Sequence, residues 1–281
     1  MLRLGEKQVL TAVKKVDFGV YLAEEGRPEE RVLLPKKEVP GDLEIGGQVL
    51  VFLYKDSSDR LIATVREPVL TLGRTAVLKV KEVGRIGAFL DWGLEKDLLL
   101  PFREQTGKIY PGEDCLVALY IDKSSRLCAT MRVYPYLLKN SPYQAGDEVE
   151  GRVYETGGNF GVFVAVDDCY SGMIPKREVP EGLQAGNIIR ARVTGVKEDG
   201  KLDLSIRDKA YIQIKEDAQY VMDVLDEYEG ILPFDDRVSP EIIRREFGLS
   251  KSAFKRAVGR LLKQGEIEIS GGKIRRKGGQ K

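Results

Sequence analysis

The 281-residue chain contains no histidine. That removes the commonest general base and the commonest metal ligand, and with them Ser-His-Asp triads, zincin motifs and mixed Cys/His zinc sites. Carboxylate chemistry is left, but no pair of Asp or Glu is singled out by its spacing. The three cysteines, Cys115, Cys128 and Cys169, are odd in number and lack C-x-x-C spacing. Set among apolar or strand-like neighbours, they read as buried free thiols. No metal and no cofactor is implied. What remains is the chemistry of cations and aromatic rings. Lys and Arg total 45 against 44 Asp and Glu, yet from Arg237 onward 13 basic residues stand against 4 acidic ones, a basic end on a mildly acidic body. Lys251, Lys255, Arg256 and Lys263, followed by Lys273, Arg275, Arg276 and Lys277, supply positive charge of the kind phosphate groups take up. The aromatic residues raise a different question. "NFGVFV" at 159–164 sets Phe160 and Phe163 three apart, which in a flat strand puts them on opposite faces. A β-bulge at Gly161 would reset the alternation, bring both rings to one face and turn Val162 and Val164 inward.

The pattern recurs, so a repeated element positions these rings. "FGVYL" at 18–22, "IGAFL" at 86–90 and "FGVFV" at 160–164 each follow an alternating run that opens on glycine and reads as a first strand. Downstream come "VLLPKKEVP", "LLLPFREQTG" and "GMIPKREVP", and then two alternating strands joined by a polar turn. Five short alternating strands in about 70 residues suit a small barrel of the oligonucleotide-binding type. The expected fold is mainly β with a small α+β end domain. Its barrels span 1–67, 68–134 and 146–208, a Pro- and Tyr-rich linker covers 135–145, and a helical domain covers 210–281. "ETGGN" precedes a strand instead of opening a helix, so it reads as a turn and not as a phosphate cradle.

From Tyr211 the apolar period changes to about 3.6. Ile214, Ala218, Val221, Leu225 and Tyr228 form one stripe of a first helix that ends near Gly230. "SPEIIRREFG" predicts a second helix with Ser239 as cap, Pro240 at the first position and Gly248 past the end. A third helix runs from a Ser250 cap to about Gln264 with Phe254, Ala257, Leu261 and Leu262 inward, and "EIEISGGKIRRK" is a hairpin turning at Gly-Gly. Three helices and a basic hairpin resemble a winged helix-turn-helix, in which the third helix and the hairpin contact phosphates. A solvated charged face with a disordered tail is the alternative.

The repeats resemble the S1-type RNA-binding domain. The third matches best, through "GRVYETGGNFGVFVAVDDCYSGMIPKREV" and "LDLSIRD". Three such barrels and a terminal winged helix, covering nearly the whole chain, resemble the bacterial conserved virulence factor B family. The resemblance implies a cytoplasmic RNA binder that influences gene expression. S1-type domains stack bases of single-stranded RNA on exposed rings while basic groups hold the backbone. Carried over by motif, the rings are Phe18 with Tyr21, Phe160 with Phe163, and Phe89 alone in the second repeat, where Ile86 replaces the first ring. Ordinary barrel core is the alternative for all of them. The family pattern also places a histidine near the end of the third strand, where Pro35, Pro101 and Pro175 stand here. Its Asp and Arg four apart are kept by Asp56 with Arg60 and by Asp122 with Arg126, whereas the third repeat has Lys197 and Lys201. Lys36, Lys37, Lys176 and Arg177 follow the prolines and offer replacement cations.

The leading expectation is a non-catalytic, single-stranded RNA-binding regulator that joins several weak sites along one strand, which linkage makes effective. A winged-helix DNA-binding transcriptional regulator with barrels as partner modules comes second, and the winged helix could engage duplex nucleic acid in either reading. A protein that docks on the translation or decay machinery is a third class. No run approaches 18 apolar residues and no signal-peptide pattern is present, so a cytoplasmic protein without a membrane partner is expected. Oligomeric state is left open.

Overall fold

The computed structural model describes residues 1–156, 160–179, 182–206 and 209–277, with no side chains for 209–212. Part of the expected "ETGGN" turn and the last four residues lie outside the described residues. Residues 1–206 form one compact unit and 207–281 a second.

Alternation builds the first barrel. In β1 (Lys7–Val16), Gln8, Leu10 and Ala12 are buried while Lys7 and Val9 face out. It is followed by β2 (Gly19–Ala23), β3 (Arg31–Pro35), β4 (Gln48–Lys55) and β5 (Leu61–Thr64), which close in the order β1-β2-β3-β5-β4 with β3 and β5 parallel. The second repeat supplies β6 (Thr75–Val83), β7 (Gly87–Asp91), β8 (Leu98–Pro101), β9 (Asp114–Ile121) and β10 (Leu127–Thr130). Here the sheet stays open between β8 and β10. The third repeat closes again, from β11 (Glu148–Glu155), β12 (Gly161–Val166), β13 (Tyr170–Pro175), β14 (Ile188–Val196) and β15 (Leu202–Ser205).

The fourth strands explain how the barrels join. In β4, Val51 and Leu53 fill the first barrel's core, while Phe52 and Tyr54 on the other face pack with Trp92 and Leu70 in the second barrel's cluster. In β9, Cys115, Val117 and Leu119 point into the second barrel, whereas Leu116 and Ala118 pack with Val133, Leu137, Tyr154 and Ala165. Both strands are apolar on both faces because both faces are covered. In β14 the outward positions are instead Arg190, Arg192 and Thr194, and Val193 and Ala191 face the core. The segment expected to be a linker packs at the second joint: Tyr134–Tyr136 forms a 3-10 turn between buried Val133 and Leu137.

The second unit contains α1 (Lys209–Glu227), β16 (Ile231–Leu232), α2 (Pro240–Phe247), α3 (Lys251–Gln264), β17 (Ile267–Ser270) and β18 (Lys273–Arg276), with the strands ordered β16-β18-β17. Phe254, Val258, Leu261, Phe247, Ile243 and Val221 meet in one core. The Ser250 hydroxyl accepts from the Ala253 N–H at 3.2 Å, and Gly265 ends α3 at φ 74°. Gly271 and Gly272, both at positive φ, turn the wing. Three expectations are corrected. Leu262 is exposed and Val258 takes its place inward, because 258 continues the 254–257–261 stripe and 262 lies at its edge. Tyr228 falls just beyond α1, and its hydroxyl donates outward to Glu246. Ser239 occupies the cap position without a side-chain cap hydrogen bond.

Candidate nucleic-acid interface

The glycine of each aromatic motif is fixed by the backbone around it. Gly19, Gly87 and Gly161 have φ of 157°, 155° and 145°, and pair across the ladder with Pro35, Pro101 and Pro175. A Cβ on Gly161 would stand 2.0 Å from the Ile174 carbonyl oxygen; on Gly19 and Gly87 the equivalent distances are 2.1 and 2.2 Å. Only glycine fits so close a crossing.

The expected bulge at Gly161 is not there: β12 pairs regularly with β13 from Gly161 to Val166. The bulge lies across the ladder on the first strand, at Val13, Lys81 and Tyr154, where the register slips in each repeat. The second motif ring, Tyr21, Phe89 or Phe163, faces the residue just past that slip. The unusual glycine φ at the start of the second strand, together with the bulge opposite, takes the place of a bulge at the glycine. In the first barrel it brings Phe18 and Tyr21 edge to face, with centroids 6.4 Å apart. Val162 and Val164 point inward as expected.

Exposure separates the first rings from the second. Phe18 is 58% and Phe160 74% exposed, so neither is barrel core. Tyr21 is half-buried with Arg31 4.9 Å over its ring. Phe163 is half-buried between Tyr134 and Tyr154, with centroids at 6.3 and 6.2 Å. The N–H of Lys36 donates to the Phe18 carbonyl at 2.9 Å and that of Lys176 to the Phe160 carbonyl at 3.0 Å, so each lysine emerges beside an exposed ring. Among the described residues neither lysine side chain has an ionic partner. In the second repeat Ile86 is exposed, Phe89 is half-buried, and Phe102 donates from the lysine's position at 3.4 Å. Exposed Phe102 went unread in the sequence. Its signal was the alignment of "PFRE" with "PKKE" and "PKRE".

Glutamates in those same motifs hold the turns in place. Glu38 is buried, accepts from the Thr64 hydroxyl and from the Val65 N–H at 3.2 Å, and lies 3.6 Å from Arg66. Glu104 accepts from the Thr130 hydroxyl at 2.8 Å. Each ties the turn after the third strand to the fifth strand, fixing where residues 36 and 102 stand.

Several expected cations are taken up elsewhere. Lys37 pairs with Glu95 of the second repeat. Arg60 forms a two-nitrogen contact with Asp56 at 3.0 and 2.7 Å. Arg126 turns away from Asp122 and binds Asp59 of the first repeat at 3.0 Å, because Ser124 and the Arg126 backbone N–H already occupy Asp122. Arg177 lies 3.9 Å from Glu178. Lys201 pairs with Asp199 at 2.6 Å and sits 5.6 Å from the Tyr134 ring centroid. Hydrogen bonding from Asp199 first, and from Tyr134 second, raises the Lys201 pKa.

On the winged helix, Lys255, Arg256 and Lys263 are exposed along α3 without ionic partners among the described residues, and Lys251 is half-buried. Arg275 lies in the central strand, opposite Ile231 and Glu268, half-buried with its Nε unpaired. Arg276 pairs with Asp226. Lys273 and Lys277 are exposed on the wing without ionic partners among the described residues.

The cysteines are free; Cys115 and Cys128 are buried, and burial pushes both thiols up to about 11, while Cys169 is only half-buried. Among the described residues no group of three His, Cys, Asp or Glu could hold a metal ion, and no helix is long and apolar enough to cross a membrane.

Three consecutive five-stranded barrels with a winged helix define a class of nucleic-acid-binding protein. The S1 domain model matches residues 4–66 and 72–132, the S1 RNA binding domain model 143–207, and the CvfB-like winged helix domain model 219–275. Conserved virulence factor B of Staphylococcus saprophyticus is 31% identical over 255 residues, covering 87% of this chain and 85% of the relative. The Bacillus subtilis protein YitL is 29% identical over 279 residues, covering 95% and 91%. A solved multidomain protein with nucleic acid binding domains from Streptococcus pneumoniae has 24% identity and a TM-score of 0.46, covering 98% of each chain. The chain belongs to the conserved virulence factor B family.

Proposed function

We propose that the protein is a non-catalytic, cytoplasmic, single-stranded RNA-binding regulator that acts after transcription, with its main base-stacking sites on the first and third barrels. One observation carries this reading: Phe18 and Phe160 are exposed at equivalent positions, and each accepts at its carbonyl from the backbone N–H of a lysine, Lys36 or Lys176, that has no ionic partner among the described residues. A solvent-facing ring accepts any base by its π-face, and an adjacent ammonium holds the phosphate that follows. Tyr21 backs Phe18 from the half-buried side, with ring centroids 6.4 Å apart.

A second reading rests on α3, whose Lys255, Arg256 and Lys263 form a basic face without ionic partners among the described residues, at the position a recognition helix takes in duplex DNA. Competition between labelled single-stranded RNA and duplex DNA, repeated at several salt concentrations, separates the two. Preference for RNA, weakened by Phe160→Ala, supports the first reading. Preference for the duplex, unaffected by Phe160→Ala and abolished by Lys255→Ala with Arg256→Ala, supports the second.

A further inference from the structure

The segment between the second and third barrels does more than connect them. Its Tyr134 is 46% exposed, although it stands between two residues that bury much of themselves, Val133 and Leu137. The ring lies 6.3 Å from Phe163, the half-buried second ring of the third barrel's motif, and 5.6 Å from the Lys201 ammonium. The segment is fixed on both sides. Val133 and Leu137 pack with Leu116 and Ala118 of the second barrel, and Leu138 bridges to Tyr170 of the third, donating to the Cys169 carbonyl at 2.8 Å. Lys139 closes the contact: a Cβ on Gly200, in the turn that carries Lys201, would stand 1.7 Å from its carbonyl oxygen. The segment and the Lys201 turn are therefore pressed together.

We propose that Tyr134 is a base-stacking residue of the third barrel's RNA site, a ring supplied by the preceding segment and absent from the barrel's own motif. The proposal rests on the RNA reading above and adds to it a residue outside the repeat. Three features favour a nucleobase as the occupant. Tyr134 is exposed where a core residue would be covered. Its neighbour Phe163 is a motif ring whose own surface is largely taken by Tyr134 and Tyr154, so the outward aromatic surface passes from Phe163 to Tyr134. Lys201, whose ammonium is paired with Asp199 at 2.6 Å, adds positive charge 5.6 Å from the ring centroid, on the side where the phosphate adjoining a stacked base would lie. The third site then depends on the second joint, and residues 146–208 alone lack part of it.

The full chain tests this, with a fluorescently labelled single-stranded RNA of about 12 nucleotides, within the span one or two barrels engage. Tyr134→Leu fills the joint without offering a π-face, and Tyr134→Phe keeps the ring. Tyr134→Leu is expected to raise Kd about tenfold, as loss of one stacked base does, with an unchanged melting temperature, and Tyr134→Phe to bind within about twofold of the parent. If Phe160→Ala weakens binding and Tyr134→Leu does not, the proposal is overturned while the RNA reading stands. If neither weakens it, both fall. A drop in melting temperature for Tyr134→Leu, with Tyr134→Phe also weakened, assigns the residue to packing and overturns the proposal as well.

Discussion

The second and third barrels share a backbone and differ in what they do with it. Both place a glycine against a proline across the ladder, both slip register on the first strand, and both set the turn after the third strand beside the first motif residue. In the third barrel that arrangement displays Phe160 beside Lys176. In the second it displays Ile86 beside Phe102, where the third barrel has a ring and a lysine, while Arg103 lies 3.6 Å from Glu104 and Arg126 is held by Asp59. The second barrel also receives Lys37 on Glu95 and gives Lys96 to the Asp56 carbonyl at 2.9 Å. Its Trp92 is covered by Phe52 and Tyr54 of the first barrel, centroids 5.8 and 6.5 Å away. The scaffold is common to both. In the middle copy Arg126, the counterpart of Arg60, is spent on a contact with the first barrel.

The comparison can be broken at its shared part first. Gly161→Ala and Gly87→Ala should each cost about 3 kcal/mol or more in urea denaturation, since at both positive-φ positions the new Cβ would stand within 2.2 Å of a carbonyl oxygen. A tolerated Gly87→Ala would show that the middle barrel does not keep the shared crossing. The part that differs comes next. Phe160→Ala should raise the RNA Kd about tenfold and Phe89→Ala less than about twofold, because only the former removes an exposed ring. Salt dependence sharpens the contrast further. Lys176→Ala should lower the slope of log K against log salt by about 0.7, the value for one phosphate contact on a single strand. Lys37→Ala should leave the slope unchanged, and Glu95→Gln, which frees Lys37, should steepen it. The smallest effect is expected from Arg126→Ala, which breaks an exposed contact between repeats: RNA affinity should stay within about twofold, with at most a small loss of thermal stability that disappears in high salt.

Much of the fold was legible because period and punctuation repeat. Three glycine-led motifs at similar spacing announced three barrels, and the change to a 3.6-residue stripe after Tyr211 announced the helical unit. The joints were also written in the sequence and went unread. "VFLY" and "CLVALY" are apolar without alternation, which a strand covered on both faces requires, whereas "IIRARVTGV" alternates because no further barrel of its unit covers its outer face. The site was legible in its ring positions and less so in its cations. Spacing marks Lys37, Arg126 and Arg276 as basic, but their partners, Glu95, Asp59 and Asp226, lie 58, 67 and 50 residues away in sequence, and only the folded chain brings them near. Tyr134 escaped notice for a similar reason: it sits outside the repeat and reaches Phe163 only through the packed segment. The bulge was expected at the glycine because that is where the local spacing breaks, while the structure shares the adjustment between the glycine and a slip on the partner strand.

The claim that the outer barrels hold RNA and the middle one joins them is tested most directly by photocrosslinking. The full chain is bound to a 4-thiouridine-containing single-stranded RNA, irradiated, and the attached residues are mapped by mass spectrometry. Crosslinks at Phe18 or Tyr21 and at Phe160 or Phe163, with none at Phe89 or Phe102, are the predicted result. Crosslinks concentrated at Phe89 and Phe102, with the outer rings unmarked, would contradict it.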